Sequence, residues 1–372
     1  MRALLCLAVL SGAAASVPRR TTSRTENSVD TATTFTYLGR VNPAKNELTW
    51  PASGIAFTFT GTAAAVPITS LTGTNSVEVV VDGGPPTITN DLKGSRISIQ
   101  GLAQGQHTVE IRKKSEALYG SIFIGTPTTP GTLVTPTSTR KKRIEIVGDS
   151  ISVGYGMDAP YPCTNAAAVE DAGATYGALA AKNLSADYSI VAWSGKGLLR
   201  NYVTTSGADT SPLMPELWTR YGANDADNSY DFATPVDAVV INLGTNDFSY
   251  MASDASGKSY AARPPLNATA YTNGLVRFSR AVLAKYPDAA LFITSSPMLS
   301  DTYPTADEAQ HTKQETCIRN AVARIGAQAY FVSFPSQDQS NNNIGCDYHP
   351  SPLTHQKMAV VLTAALSSVL VS

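Results

Sequence analysis

The chain carries little charge, and the charge it has is balanced. Charged residues make up 15% of the sequence, and the formal net charge is −1 at pH 7. Nucleic-acid binding needs a concentrated basic surface, so this composition argues against DNA or RNA as a partner. No apolar run reaches the roughly 20 residues that a membrane-spanning helix requires, so we expect no membrane partner either.

Cysteine and histidine are scarce, with four of each. Cys6 falls in the N-terminal apolar stretch, which leaves three cysteines for the folded part. They form no CxxC pair or cysteine–histidine cluster, so no metal site is expected on them. In an oxidising compartment three cysteines make at most one intramolecular disulfide. We predict a Cys317–Cys346 bond, because Cys346 lies three residues before His349 and a bridge there would hold that histidine's loop.

The N-terminal residues predict a secreted protein. Residues 1–16 combine a short basic start, an apolar stretch and small residues near a cleavage position, as signal peptides do. Residues 17–34 are rich in Ser, Thr and Arg and predict a disordered segment. Asn183 and Asn267 stand in glycosylation sequons.

Residues 35–125 predict a β-sandwich domain. Short stretches alternate apolar and polar residues with period 2, and Gly-rich turn signals separate them. Residues 126–142 are rich in Pro and Thr at first, lack periodicity and predict a linker. The alternating stretches are Ile55–Thr60, Val77–Val81, Ile97–Ile99 and His107–Ile111.

Residues 143–372 predict an α/β domain with a parallel sheet covered by helices on both faces. Sites in such sheets lie at the carboxyl ends of the strands, where the polar motifs of this chain fall. The predicted strands are Ile144–Gly148, Tyr188–Trp193, Ala238–Leu243, Leu291–Ser295 and Ala329–Phe334, and the predicted helices are Ala172–Leu184, Ala268–Tyr286, Ala306–Ile325 and Leu353–Leu370.

The first of these strands ends on Gly148-Asp149-Ser150, which predicts a serine nucleophile lifted out of the sheet. A serine hydroxyl is a weak nucleophile and needs a base within hydrogen-bond reach. His349 is the candidate base, because an imidazole titrates near neutrality and can take and return a proton. Asp347 is the candidate carboxylate for orienting His349, although a surface turn is its alternative role.

An acyl-transfer site also needs donors for the oxyanion of the tetrahedral intermediate. Ser150, Gly195 and Asn246 are the candidates, since glycine permits close approach of the backbone and an amide side chain can donate. Turn chemistry at strand ends is the alternative explanation for the last two.

Four blocks in this order resemble the SGNH (GDSL-type) hydrolase superfamily. They are Gly148-Asp149-Ser150, Ser194-Gly195, Gly244-Thr245-Asn246-Asp247 and His349-Pro350-Ser351. A β-sandwich ahead of them looks like carbohydrate esterase family 2, as do the flanking segments Gly105–Val109, Lys113–Ala117, Gly345–Pro350 and Thr354–Ala359. No Gly-x-Ser-x-Gly elbow is present, which argues against the α/β-hydrolase fold.

The resemblance implies a jelly-roll first domain, a flavodoxin-like parallel sheet, and no metal or organic cofactor. It also implies deacetylation of acetylated plant polysaccharides such as xylan and glucomannan, or of their oligosaccharides. One departure concerns the triad: the superfamily's usual Asp lies three residues before the histidine, where this chain has Cys346. A Ser–His dyad, with a backbone carbonyl holding the imidazole, is therefore the alternative to a triad through Asp347.

We predict a serine esterase that acts as a monomer, with Tyr348, Trp193 and Tyr155 as candidate sugar-stacking residues near the motifs. For Trp193, core packing is the alternative role. Two other functions remain open at this point. The same scaffold serves lipases and phospholipases, and an inactive hydrolase domain would leave a carbohydrate-binding protein.

Overall fold

The computed structural model describes residues 34–136, 141–338 and 343–370. The predicted signal peptide, residues 1–16, lies outside the described residues. So does the predicted disordered segment 17–34, apart from its last residue.

The N-terminal part is a sandwich of two antiparallel sheets that enclose an apolar core of mainly aliphatic side chains. One sheet has the order β1-β3-β8-β5-β6, with β10 also on β3, and the other has the order β2-β9-β4-β7. The strands are β1 (Phe35–Leu38), β2 (Glu47–Leu48), β3 (Gly54–Gly61), β4 (Ala64–Gly73), β5 (Val77–Val81), β6 (Thr87–Thr89), β7 (Arg96–Ile99), β8 (Gly105–Lys113), β9 (Gly120–Ile124) and β10 (Thr132–Val134).

Part of the predicted linker belongs to this sandwich. Thr132–Val134 pairs antiparallel with β3, and Thr128 bridges to Ala65. The ordered β-domain therefore continues past Gly125. Composition hid this strand, because three residues are too few to show a period above the surrounding Pro and Thr.

The C-terminal part is built on a parallel sheet of five strands in the order β12-β11-β15-β18-β19. This is the doubly wound order of flavodoxin-like folds, in which ligands bind at the carboxyl ends where the strand order reverses. The strands are β11 (Arg143–Gly148), β12 (Asp187–Ala192), β15 (Ala238–Asn242), β18 (Ala290–Thr294) and β19 (Ala329–Val332), and two small hairpins pair β13 (Val203–Thr204) with β14 (Gly207–Ala208) and β16 (Met251–Ser253) with β17 (Ser259–Ala261).

Helices cover both faces of the parallel sheet, as the sequence predicts. Alternate residues of the central strand β15 enter different core clusters: Val239 and Ile241 pack with α5 and α6, and Val240 packs with α2 and α7. The helices are α1 (Ser150–Val153), α2 (Tyr176–Asn183), α3 (Met214–Leu217), α4 (Thr245–Phe248), α5 (Ala268–Lys285), α6 (Gln310–Ile325) and α7 (Pro352–Leu370). The predicted fold class, a β-sandwich ahead of an SGNH-type parallel sheet, is confirmed.

The two domains share a buried interface. Trp50 of the β-domain is fully buried within the core cluster that contains α5 and α6, and its indole N–H donates to the carbonyl of Tyr221 at 2.8 Å. Arg40 of the β-domain forms a buried ion pair with Glu145 on β11, with 2.9 Å between Nη2 and Oε2. The α/β domain therefore depends on β-domain side chains to complete its interior.

The predicted disulfide is wrong in one partner. Cys346 is bonded to Cys163, with 4.6 Å between their Cα atoms, and Cys317 is a free, buried thiol. Cys317 lies on the face of α6 that packs on α5, where its Sγ is 3.5 Å from the carbonyl oxygen of Ala268. The pairing depends on topology, because the loop after α1 and the loop before α7 meet at the same edge of the sheet.

Removing this disulfide should lower stability substantially. It closes a span of 183 residues, and cross-links over long loops restrict the unfolded chain most. We expect the double variant Cys163→Ala/Cys346→Ala to lose about 2–4 kcal/mol of unfolding free energy in a denaturant titration. Cys317→Ala, which removes only the free thiol, is the matched control. An equal loss in both would attribute the effect to side-chain packing instead.

The structure describes the positions of the two glycosylation sequons. Asn183 and Asn267 are both exposed, and Asn267 caps α5 by accepting the N–H of Ala270 at 2.9 Å. Glycosylation at these sequons stays a prediction.

Within the described ranges, no helix combines the length and the apolar character that crossing a bilayer would require.

Candidate active site

Ser150 stands at the carboxyl end of β11, where the strand turns into α1. Asp149 caps this short helix by accepting the N–H of Ile151 at 3.1 Å. Gly148 allows the turn to be tight, because a Cβ there would lie 2.0 Å from the hydroxyl of Ser152. As the first residue of a helix, Ser150 has an N–H without an intrahelical acceptor.

The structure brings His349 to Ser150. Nε2 of the imidazole lies 2.8 Å from Oγ of the serine. Nδ1 lies 3.2 Å from the carbonyl oxygen of Asp347. A carbonyl oxygen can only accept a hydrogen bond, so Nδ1 carries the proton and donates a hydrogen bond to the main-chain oxygen of Asp347. The lone pair of Nε2 therefore faces the hydroxyl of Ser150, as a general base requires.

The carboxylate of Asp347 contacts a different group from the one predicted. It accepts a hydrogen bond of 2.8 Å from the hydroxyl of Tyr155, while its own main-chain oxygen holds His349. Asp347 and Tyr348 both adopt left-handed backbone, with φ of 49° and 62°. This turn presents the carbonyl to the imidazole and directs the carboxylate away from it, so the geometry is that of a dyad.

Tyr155 links these groups from the other side. Its ring stacks on the imidazole of His349, with centroids 4.0 Å apart and planes 25° apart. A tyrosine face attracts a cation, so this stack favours an imidazolium when one forms. Cys346, next to the turn, is anchored by the disulfide to Cys163, which fixes the loop that carries the histidine.

Burial governs the titration of the two C-terminal histidines. One edge of His349 reaches the cleft, but the packing around the ring lowers its pKa to about 4. Burial also lowers the pKa of His355 to about 3. His355 accepts the N–H of Tyr176 at 3.1 Å and so has a structural role. Both imidazoles are neutral at physiological pH.

The candidate oxyanion donors Gly195 and Asn246 line the same cleft as Ser150. Gly195 has a left-handed φ of 79° in the loop after β12, a conformation that favours glycine. Asn246 lies at the start of α4, after β15. Its Nδ2 donates to the carbonyl of Lys196 at 2.8 Å and makes only a long contact of 3.3 Å to Asp149. One amide hydrogen is thus firmly held and the other is weakly engaged.

Two buried carboxyl groups brace these loops. Asp247 accepts the N–H groups of Leu198, Leu199 and Arg200 at 2.8, 2.6 and 3.1 Å, which ties α4 to the loop that contains Gly195. Burial raises the pKa of Asp247, and it raises that of Asp149 to about 7.

An open cleft of about 530 Å³ leads to this site. Its wall includes the predicted residues Ser150, Gly195, Asn246, His349, Asp347, Tyr155 and Tyr348. Trp193 is not among the described residues that line it. The indole instead packs against the core on the α5 side of the sheet, with Nζ of Lys196 5.8 Å from the ring centroid.

Sequence reasoning missed two tyrosines on the rim. Tyr303 is 63% exposed and Tyr202 is 48% exposed, close to the 53% of Tyr348. The ring of Tyr161 lies beside that of Tyr348, and their hydroxyls are 3.0 Å apart. A signal was available: Tyr202 and Tyr303 stand in loops that follow sheet strands, and such loops line the cleft in this fold.

A sequence model of the GDSL-like lipase/acylhydrolase family matches residues 146–357, which are 212 of the 372 residues. The chain belongs to this family. The N-terminal part of this GDSL-like acylhydrolase, residues 37–136, matches a second family, described as carbohydrate esterase 2 N-terminal. The resemblance recognised from the motifs is therefore confirmed for both domains.

Similar proteins are carbohydrate esterases. The acylhydrolase is 52% identical to a Corynascus thermopiles (Myceliophthora fergusii) family 2 carbohydrate esterase of known structure, with a TM-score of 0.85 over 91% of this chain and all of that one. It is 29% identical to an acetylxylan esterase/glucomannan deacetylase of Cellvibrio japonicus, over 87% of this chain and 86% of that protein. It is 34% identical to a cellulase/esterase of Acetivibrio thermocellus over 89% of this chain, but spans only 39% of that longer protein.

Proposed function

We propose that the chain is a secreted serine esterase that removes acetyl groups from acetylated plant polysaccharides or their oligosaccharides. The observation that carries this proposal is the 2.8 Å contact between Ser150 and His349 at the base of an open, tyrosine-rimmed cleft. The similar proteins that act as acetylxylan esterases support the choice of substrate.

In the first half of the reaction, Oγ of Ser150 attacks the acetyl carbonyl carbon while Nε2 of His349 takes the hydroxyl proton. The carbonyl π electrons move to oxygen and form the oxyanion. When this intermediate collapses, the bond to the sugar oxygen breaks. The imidazolium then returns its proton to that oxygen, so a neutral sugar alcohol leaves and an acetyl-enzyme remains.

In the second half, water attacks the acetyl-enzyme and His349 again acts as the base. Acetate leaves, and the serine hydroxyl is restored. The carbonyl of Asp347 and the face of Tyr155 stabilise the imidazolium in both halves. We assign the stabilisation of the oxyanion to the N–H groups of Ser150 and Gly195 and to the weakly engaged amide hydrogen of Asn246.

Exposed tyrosines suit a carbohydrate ligand, because the axial C–H faces of a sugar ring stack on aromatic rings. The test is acetate release from acetylated xylan and acetylated glucomannan, run beside aryl esters of increasing acyl length. We expect release from at least one polymer and a steep preference for acetate among the aryl esters. Preference for long acyl chains, with no release from either polymer, would replace the proposal with a lipase.

A substitution at Asp347 separates the dyad from the triad. Asp347→Asn keeps the main-chain carbonyl on His349 and alters only the contact with Tyr155, so we expect kcat on an aryl acetate to fall less than about tenfold. A carboxylate that bonds the imidazole directly is worth about 10⁴-fold in kcat. Tyr155→Phe, which deletes the other half of the same hydrogen bond, is the matched control and should give a similar small change. A fall of 10³-fold or more in Asp347→Asn alone would establish the triad.

The pH dependence follows from the low pKa of His349. The base acts when neutral, and burial lowers its pKa from 6.5 to about 4. We therefore expect kcat/KM to stay level as pH falls through 6 and to decline only on approaching about pH 4. An acid limb centred at or above pH 6.5 would contradict this assignment.

The same burial makes stability depend on pH, so fluorescence must be recorded with each rate. The folded-state pKa values of His349 and His355, about 4 and 3, lie below the unfolded value. Their contribution to stability is complete above pH 6.5 and is lost as pH falls through about 4 for His349 and about 3 for His355. Rates are compared only where fluorescence shows the folded state.

The proposal that the enzyme is secreted is supported by the signal-peptide pattern of residues 1–16. The Cys163–Cys346 bond is consistent with it, since disulfides persist in oxidising compartments. Sequencing the N-terminus of protein collected from culture medium tests this: a mature start after residue 16 is expected, and retention inside cells would contradict it.

A further inference from the structure

A carboxyl group of the β-domain reaches the loop that carries the glycine of the candidate oxyanion hole. Glu116 follows β8 and precedes a short 3₁₀ turn, Ala117–Tyr119. It is fully buried between the domains. Its Oε2 accepts the main-chain N–H of Ser194 at 2.8 Å. Ser194 is the residue immediately before Gly195.

The other contacts on the glycine loop come from within the α/β domain: the N–H of Trp193 donates to the carbonyl of Gly148 at 3.4 Å, and that of Tyr202 to the carbonyl of Gly195 at 2.7 Å. Asp247 accepts three N–H groups from residues 198–200, and Oδ1 of Asn201 accepts the N–H of Gly197 at 3.1 Å. These side-chain contacts come from within the α/β domain and lie after Gly195. On the near side, the side-chain contact on Ser194 comes from Glu116. The Ser194–Gly195 peptide, whose N–H we assign to the oxyanion, therefore lies between a β-domain contact on the N–H of Ser194 and α/β-domain contacts that begin at the carbonyl of Gly195.

Glu116 is itself rigidly placed. Its N–H donates to Oε2 of Glu170 at 2.7 Å, and its carbonyl accepts from Nζ of the buried Lys113 at 2.8 Å. Asn165 donates to the other oxygen of Glu170 at 2.8 Å. Burial and the adjacent Glu116 carboxyl raise the pKa of Glu170 well above its ordinary range, and burial also raises the pKa of Glu116.

We propose that Glu116 is a positioning residue for ester hydrolysis: through the N–H of Ser194, the β-domain sets the direction of the Gly195 N–H toward the oxyanion. This inference rests on the proposed function, because it presupposes an oxyanion at that place. Donors aimed before the reaction contribute most to the rate, and a displacement of about 1 Å can cost about 10²-fold. The β-domain then takes part in catalysis in addition to any role in binding polysaccharide.

The test compares four single variants of the full chain on an aryl acetate. Glu116→Met removes the acceptor at similar size, and Glu116→Asp withdraws it by one methylene. Both should lower kcat about 10- to 100-fold with KM changed less than threefold, since the interaction acts on the transition state. Glu116→Gln keeps an acceptor oxygen and should stay within about threefold of wild type. Ser76→Ala deletes another buried interdomain hydrogen bond, the 2.8 Å bond to the carbonyl of Ala167, and should leave kcat unchanged.

The rate at which a fluorophosphonate labels Ser150 is the second readout, because phosphonylation also develops charge on an oxygen in the oxyanion hole. It should fall in Glu116→Met and Glu116→Asp in parallel with kcat. If Glu116→Met does not fold, Glu116→Asp carries the test. Wild-type rates for Glu116→Asp would overturn the inference. A loss of kcat in Ser76→Ala equal to that in the Glu116 variants would also overturn it, because it would show a general loosening of the domain contact.

Failure of the proposed function would give a different pattern of results from failure of the inference about Glu116. If the wild type hydrolyses the aryl acetate but releases no acetate from polysaccharide, the proposed substrate is wrong. The variants still decide the role of Glu116. A wild type that neither hydrolyses the ester nor reacts with the fluorophosphonate overturns both.

Discussion

Ser150→Ala should abolish ester hydrolysis, with a fall in kcat of at least about 10⁴-fold. The physical reason is that, in the proposed mechanism, the hydroxyl oxygen 2.8 Å from His349 forms the new bond to the acetyl carbon. Without it, only direct attack by water remains, aided by the oxyanion donors. The measurement is initial rate on an aryl acetate and on the preferred acetylated polymer, with the intact variant checked by circular dichroism.

The same helical turn offers a matched control. Ser152 is also buried, but its hydroxyl lies 2.9 Å from that of Tyr176, away from the histidine. Ser152→Ala should therefore keep kcat within a few-fold of wild type. A variant lacking Ser150 that retains a tenth of the activity would refute the nucleophile assignment and show that another group attacks the ester.

Asn246→Ala should lower kcat by about 10²- to 10³-fold, equivalent to about 2.7–4 kcal/mol of transition-state stabilisation. The variant loses the amide donor that we assign to the oxyanion. The effect should appear in kcat with KM little changed, because the charge on oxygen develops only after substrate has bound. Steady-state kinetics on an aryl acetate measure this split.

Asn246 also holds the carbonyl of Lys196, so loss of activity needs separation from loss of structure. Thermal unfolding of the same sample supplies one check. Ser249→Ala supplies another, since Ser249 lies just after α4 and lines the same cleft without any proposed role in the reaction. If Asn246→Ala lowered kcat less than tenfold, the backbone N–H groups would suffice as the oxyanion hole.

Much of the α/β domain was predictable because its strands are buried on both faces. Such strands read as short apolar runs, and the predicted and observed bounds of β15 differ by one residue. The start of α6 was less predictable. Residues 306–309 are compatible with a helix, but Ala309 has a left-handed φ of 39° and the helix begins at Gln310. Local composition carries no trace of that backbone reversal.

The candidate site likewise has one part that the sequence predicts and another part that depends on the fold. Ser150 and His349 stand in short motifs with chemistry of their own, and the fold brings them together. The orientation of Asp347 could not be read from its distance along the chain from His349, because two consecutive left-handed residues decide which of its oxygens meets the imidazole. The reach of Glu116 across the domain boundary depends on tertiary packing alone.

Ser150 and His349 are 199 positions apart in the sequence, and this separation imposes an order on their synthesis. The nucleophile emerges from the ribosome early in the second domain, whereas its base lies just before the final helix. A nascent chain therefore carries Ser150 without His349, and Cys163 without Cys346, until the segment before α7 has been synthesised. The Ser150–His349 contact and the Cys163–Cys346 bond can therefore form only once that segment has emerged and docked on the α/β domain.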